Sequence, residues 1–238
     1  ALASALRVNG VLKHLDLSYN GIDYTGATAL ADALKVNRVL TSLDVSSNRL
    51  TEEAALGIVR VERQRNKLTS LGLAGCSIGP TGAAEIAEYV SGSGVLTKGS
   101  GVLKTLNLSH NQLCGVDFMG RGTYSVSIRW ARAPTRTSAS RVGITALAEA
   151  LKVNEVLTNL NLFFNNIGPP GATAFADALR VNGVLTDLNL RGNGIGDEGA
   201  KAIGEALAVN GVLTNLNLNM NDIGDEGAVK IADALRVN

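Results

Sequence analysis

The side chains able to do chemistry are few and scattered along the chain. There are two histidines, His14 and His110, and two cysteines, Cys76 and Cys114. A nucleophile or general base needs a second group within hydrogen-bond reach, and both histidines read as outward strand positions several repeats apart. His110 and Cys114 are close enough in sequence to approach one another, but two ligands do not make a zinc site. No G-x-x-x-x-G-K-[ST] phosphate loop is present, and Gly92-Ser-Gly94 and Gly99-Ser-Gly101 read as a flexible turn. The expectation is a chain with no catalytic residues, no cofactor, no metal and no small-molecule substrate.

What the sequence has instead is a repeat. The pattern L-x-x-L-x-L-x-x-N-x-[IL] starts at Leu12, Leu40, Leu68, Leu103, Leu157, Leu185 and Leu213. Four of the six intervals are 28 residues; the other two, 35 and 54, imply insertions of 7 and 26 residues, within 92–101 and 114–142. In Leu185-Thr-Asp-Leu188-Asn-Leu190 the alternating leucines turn one face of a short strand inward, leaving Asn189 outside. In Gly199 to Val209, Ala202, Ile203, Ala206 and Leu207 form the apolar stripe of a helix. Asp197 and Glu198 open that helix, and Lys35, Lys152, Arg180 and Arg236 close theirs, as the helix dipole favours. Asn9, Asn37, Asn154, Asn182 and Asn210 stand where a left-handed C-cap is wanted.

One such unit cannot hide its leucines, but stacked units share a core. Strands lie about 4.8 Å apart and helices about 8–10 Å apart, so the stack bends with the strands inside. The predicted fold is an α/β leucine-rich-repeat solenoid, a horseshoe of about seven 28-residue repeats with a parallel sheet on the concave face and helices on the convex face. Residues 1–238 form one solenoid, its fourth repeat interrupted by segment 114–142. Asparagines at 20, 48, 111, 165, 193 and 221 follow each strand, where a buried amide can bond the turn backbone; the third repeat has Cys76 there, read as structural. The second repeat has Glu53 where its siblings are read to have glycine, and the third ends in Val61-Glu-Arg-Gln-Arg-Asn66 in place of Val-Asn.

Composition sets the outer bounds. The 45% apolar content suffices for a core, and a net charge of +1 gives no whole-chain argument for nucleic acid, membrane or an acidic substrate. Two cysteines suit a reducing, cytoplasmic setting. No stretch reaches the ~18 consecutive apolar residues of a membrane span, and no basic-then-apolar leader opens the chain.

Asn193-Gly-Ile-Gly-Asp-Glu-Gly-Ala200 and its near copy at 221–228 resemble the ribonuclease-inhibitor-like class of leucine-rich repeats, found in ribonuclease inhibitor, NOD-like receptors and activators of the Ran GTPase. The resemblance covers about residues 1–113 and 143–238. It implies an intracellular scaffold or sensor that binds a protein through the concave face and the strand-edge loops. The alternative it implies is a GTPase-activating module, with Arg191 the available arginine on that edge.

Specificity must come from outward positions that break the repeat. The central stripe, Asp16, Asp44, Gly72, Asn107, Asn161, Asn189 and Asn217, is short and polar, and its plainest reading is a solvated sheet face. Beyond each strand the pairs run from Ser18/Tyr19 through Ser109/His110, Phe163/Phe164 and Arg191/Gly192 to Asn219/Met220. Register puts Phe164 beside His110 and Phe163 beside Arg191, residue types that dominate interfaces. The candidate partner-binding residues are Phe163, Phe164, Arg191, His110, Met220 and Tyr19. Equally open is that Phe163 or Phe164 folds inward against the insertion.

That insertion holds Arg121, Arg129, Arg132, Arg136 and Arg141 against Asp117 alone, with Phe118, Tyr124 and Trp130 among them. Basic and aromatic residues interleaved in this way suit single-stranded nucleic acid or an acidic protein; a surface loop or a foreign segment accounts for them as well, and nucleic acid is not the expected partner. Deleting residues 115–140 should leave the melting temperature unchanged or higher, as followed by circular dichroism. A large fall would identify the segment as packed structure.

Overall fold

Each repeat divides its apolar residues between a strand three residues long and a helix of three to four turns. The computed structural model describes residues 1–92, 102–115 and 141–238. The strands are β1 His14–Asp16, β2 Ser42–Asp44, β3 Ser70–Gly72, β4 Thr105–Asn107, β5 Asn159–Asn161, β6 Asp187–Asn189 and β7 Asn215–Asn217. They alternate with helices α1 Leu2–Val8, α2 Tyr24–Val36, α3 Glu52–Arg65, α4 Pro80–Val90, α5 Val142–Val153, α6 Gly168–Leu179, α7 Gly196–Leu207 and α8 Asp225–Leu235. All seven strands form one parallel sheet in chain order. The predicted solenoid is therefore the observed one, while most of the two expected insertions lies outside the described residues.

Register follows from the leucines. Leu43, Leu71, Leu106, Leu160 and Leu188 pair rung to rung, and each is at most 1% exposed. Burying one such side chain contributes about 1.5–3 kcal/mol, and a slip of one residue would turn all of them outward. Parallel bonding runs up to three residues past the strands: Leu162 N–H donates to Asn189 O and Phe164 N–H to Arg191 O, and the corresponding bonds recur on the other rungs.

Two rows of asparagine side chains satisfy the backbone where strand and helix end. Past the strands, Asn193 Nδ2 donates to Leu162 O on the previous rung and Leu190 O on its own, and its Oδ1 accepts from Asn165 N. Asn221 and Asn111 do the same. Cys76 fits this row as a small buried group, its Sγ lying against Ala74 O. Burial pushes its thiol up to about 12, which leaves it an inert neutral side chain.

The second row corrects an expectation. Asn9, Asn37 and Asn154 are extended, and among the described helix-end asparagines only Asn66 lies in the left-handed region, with φ 49°. The side chain does the work assigned to the backbone: Asn182 Nδ2 donates to Leu151 O and Asn154 O, while its Oδ1 accepts from Val184 and Leu185 N–H. A second correction concerns the glycine position of the second repeat. Thr51 caps Ala54 N–H as Asp23 caps Gly26 N–H, so Ala54, not Glu53, stands in the glycine row.

At the end of α3 the second repeat replaces the asparagine of this row with a buried ion pair. Arg65 Nη1 meets Glu62 Oε2 at 2.8 Å, with both side chains at most 2% exposed. Arg65 donates to Asn37 O and Leu40 O, and Glu62 Oε1 accepts from Lys67 and Leu68 N–H. The pair thus divides between two residues the donor and acceptor roles of one amide. Other repeats carry an apolar residue at the Glu62 position, leucine at Leu34, Leu151, Leu179 and Leu207 and valine at Val90. Arg65→Ala should cost about 3–5 kcal/mol by leaving Glu62 buried and unpaired, whereas Glu62→Leu with Arg65→Asn should be at least as stable as the parent. Urea denaturation distinguishes the two, and equal losses would refute the equivalence.

Candidate functional site

The central concave stripe is structural as well as solvated. Asn161 Oδ1 accepts from Phe163 N–H and Asn189 Oδ1 from Arg191 N–H, each at 3.0 Å, and Asp16, Asp44, Asn107 and Asn217 make the same bond two residues on. Short Asx side chains recur here because their oxygen reaches the amide two residues on. At Gly72 the Asp44 carboxylate occupies the space instead, 2.3 Å from where a Cβ would stand.

The next two positions form the rim at the C-terminal edge of the sheet, and the second of them is left-handed on every rung. Tyr19, Ser47, Gly75, His110, Phe164, Gly192 and Met220 have φ between 54° and 66°. A non-glycine residue there costs about 1–2 kcal/mol. The turn imposes the conformation, because each of these N–H groups from Tyr19 to Gly192 must donate to the next rung.

Five of the six candidate residues meet on this rim. The His110 and Phe163 rings pack edge to face at 4.6 Å, His110 and Phe164 stack at 5.6 Å, and Phe163 and Phe164 meet at 5.4 Å. The Arg191 guanidinium lies over the Phe163 ring, 5.1 Å from its centroid, with Nη2 3.3 Å from Met220 Sδ. Both phenylalanines therefore lie beside the neighbours that the repeat register predicts, although His110 sits closer to Phe163 than to Phe164. Both phenylalanines are half-buried, lying against each other and over Gly192. His110 and Arg191 are exposed, and Met220 is 54% exposed. Although its outer face is open, the His110 ring loses water to the phenyl rings, which holds it below the ordinary histidine pKa and neutral at pH 7. Tyr19, 84% exposed, occupies the same row three rungs from His110 and outside the cluster.

Sequence reading passed over Gly192. A Cβ there would stand 2.8 Å from Phe164 Cδ2 and 3.2 Å from Phe163 Cε2, so the glycine makes the seat on which both rings rest. The signal was present as a glycine directly beside an arginine and one rung from the two phenylalanines. Elsewhere, a crevice of about 20 Å³ between Cys114, Arg141, Ile144 and Ile167 is too small for more than a water. Among the described residues no group of three or more His, Cys, Asp and Glu could hold a metal, and no helix is long and apolar enough to cross a membrane.

Profiles described as leucine-rich repeat match residues 8–31, 36–59, 65–87, 153–176, 181–204 and 209–232, and a further one matches 102–120. Among solved structures the chain is similar to leiomodin-1 actin-binding site 2 at 14% identity, covering 99% of this chain and 86% of that one with a TM-score of 0.37. It is also similar to the tropomodulin C-terminal domain of Caenorhabditis elegans at 11% identity, covering 99% and 89% with a TM-score of 0.40. No protein of curated function matches it by sequence.

Gly192→Ala should destabilise the protein by about 1–2 kcal/mol, through its φ of 66° and the displaced rings. Tyr19→Gly, in the same row without a ring cluster, should stabilise it by about 0.5–1 kcal/mol. Urea midpoints test both signs, and a stabilised Gly192→Ala would show that the rings do not rest there.

Proposed function

Because the chain belongs to the leucine-rich-repeat family, a fold of protein-interaction modules that is generally non-enzymatic, we propose that it is a scaffold or sensor binding a protein partner at the rim formed by His110, Phe163, Phe164, Arg191 and Met220. The observation that carries this reading is the ring cluster. Three aromatic rings and a guanidinium gather on one edge of a sheet whose other outward positions are mostly Ser, Asn, Asp and Gly. Rigid aromatic and arginine side chains give the most binding energy for the least lost rotamer freedom. His110, Phe164 and Met220 also carry the cost of a left-handed backbone that glycine bears freely at Gly75 and Gly192. Rungs and Asx bonds hold the cluster in place before binding, so the interaction relies on pre-organised shape. Tyr19 contributes to a separate part of the same edge. Two buried cysteines, Cys76 and Cys114, neither of them in a disulfide, suit the intracellular setting of this reading.

The test is cross-linked affinity capture from native extract with wild type and with Phe163→Ala plus Phe164→Ala. Proteins enriched by the wild type are expected to be lost by the double variant, with unchanged far-ultraviolet circular dichroism. Undiminished capture by a folded double variant would move the site elsewhere.

A further inference from the structure

We infer that the rim takes an extended peptide segment of its partner bearing one Asp or Glu beside an apolar side chain, the carboxylate seated on Arg191; this rests on the rim being the binding site. The first ground is an arginine held ready without an anion. Arg60, Arg63, Arg65, Arg180 and Arg236 each hold a carboxylate, whereas among the described residues Arg7, Arg38, Arg49 and Arg141, like Arg191, pair with none. Among the described residues no carboxylate lies within ion-pair distance of Arg191, and Asp187, on the same strand, is bonded by Asn215 Nδ2 at 2.6 Å. The guanidinium carbon lies 5.1 Å from the Phe163 ring centroid and Nη2 3.3 Å from Met220 Sδ, two contacts that hold the group at the rim. A planar fork immobilised in this way accepts a carboxylate bidentately and loses little freedom in doing so.

The second ground is the charge of the rim. Through the seven rungs the two rim positions carry a single cation, Arg191, because His110 is kept neutral by its ring contacts. One positive charge among apolar groups matches one carboxylate. A phosphate with close to two charges, or a nucleic-acid backbone, would call for a cluster of cations. The third ground is what flanks the arginine. Phe163 on one side and Met220 on the other offer apolar surface to a side chain next to the acid. Below them Asn161 and Asn189 commit Oδ1 to the turn, which leaves their Nδ2 groups to donate to carbonyls of a strand-like segment on the sheet floor.

The probe is a random linear-peptide library displayed on phage and selected against the full chain. Enriched peptides are expected to share an Asp or Glu next to an apolar residue. Their synthetic versions should bind about tenfold more weakly to Arg191→Gln, lose the same when the acid is replaced by its amide, and weaken as salt is raised. Binding that survives Arg191→Gln but is lost in Phe163→Ala plus Phe164→Ala would overturn the carboxylate inference and leave the rim as the site. Binding that survives both variants would overturn the rim as well. Failure to enrich any peptide, with circular dichroism showing folded protein, would overturn the inference directly.

Discussion

The structure depends on the need to satisfy backbone groups that a stack of short elements buries at every turn. A strand of three residues makes few ladder bonds, and each rung leaves carbonyl and N–H groups at both ends. The asparagine rows resolve this by tying neighbouring rungs together: Asn193 donates to Leu162 O and Leu190 O and accepts Asn165 N–H, while Asn182 donates to Leu151 O and Asn154 O and accepts Val184 and Leu185 N–H. The amide has to be in register with the next rung, and that fixes the period at which leucines can face the core.

Departures from the period show what the rows require. Cys76 occupies the strand-end row by being small and buried, with neighbouring Asn111 Oδ1 accepting its N–H. Glu62 and Arg65 occupy the helix-end row by dividing an amide's donor and acceptor roles between two charged groups, tolerable in the core because each ion is both paired and hydrogen-bonded. At Asn165 the row breaks. Its Oδ1 is buried without a hydrogen-bond partner where the homologous atoms of Asn193 and Asn221 each accept two N–H groups. The missing donors belong to the fourth repeat, the one that the 54-residue interval interrupts.

The rim is built on the same frame. Concave Asx side chains hold the N–H groups of Phe163 and Arg191, and the inter-rung ladder forces the following residue into a left-handed turn. Rings at that position lean along the rim, and Gly192 leaves room for two of them. A binding surface therefore arises from a scaffold that is nearly invariant, through a few side chains on adjacent rungs.

From the sequence alone came the repeat, the parallel sheet, the leucine register and the adjacency of Phe163 and Phe164 to His110 and Arg191, because a 28-residue period maps residues onto neighbouring rungs without any knowledge of coordinates. Cys76 was legible for the same reason: its place in the row defines its surroundings. Tertiary structure decided what adjacency cannot, namely which atoms meet. It showed that the helix-end asparagines act through their side chains from extended backbone, that Ala54 fills the glycine row, and that Glu62 with Arg65 stands in for an amide. It also separated Tyr19 from the ring cluster and put Gly192 beneath it. Spacing along a chain specifies the rung and the face, whereas side-chain direction and the space left by a missing Cβ exist only once neighbouring rungs are packed.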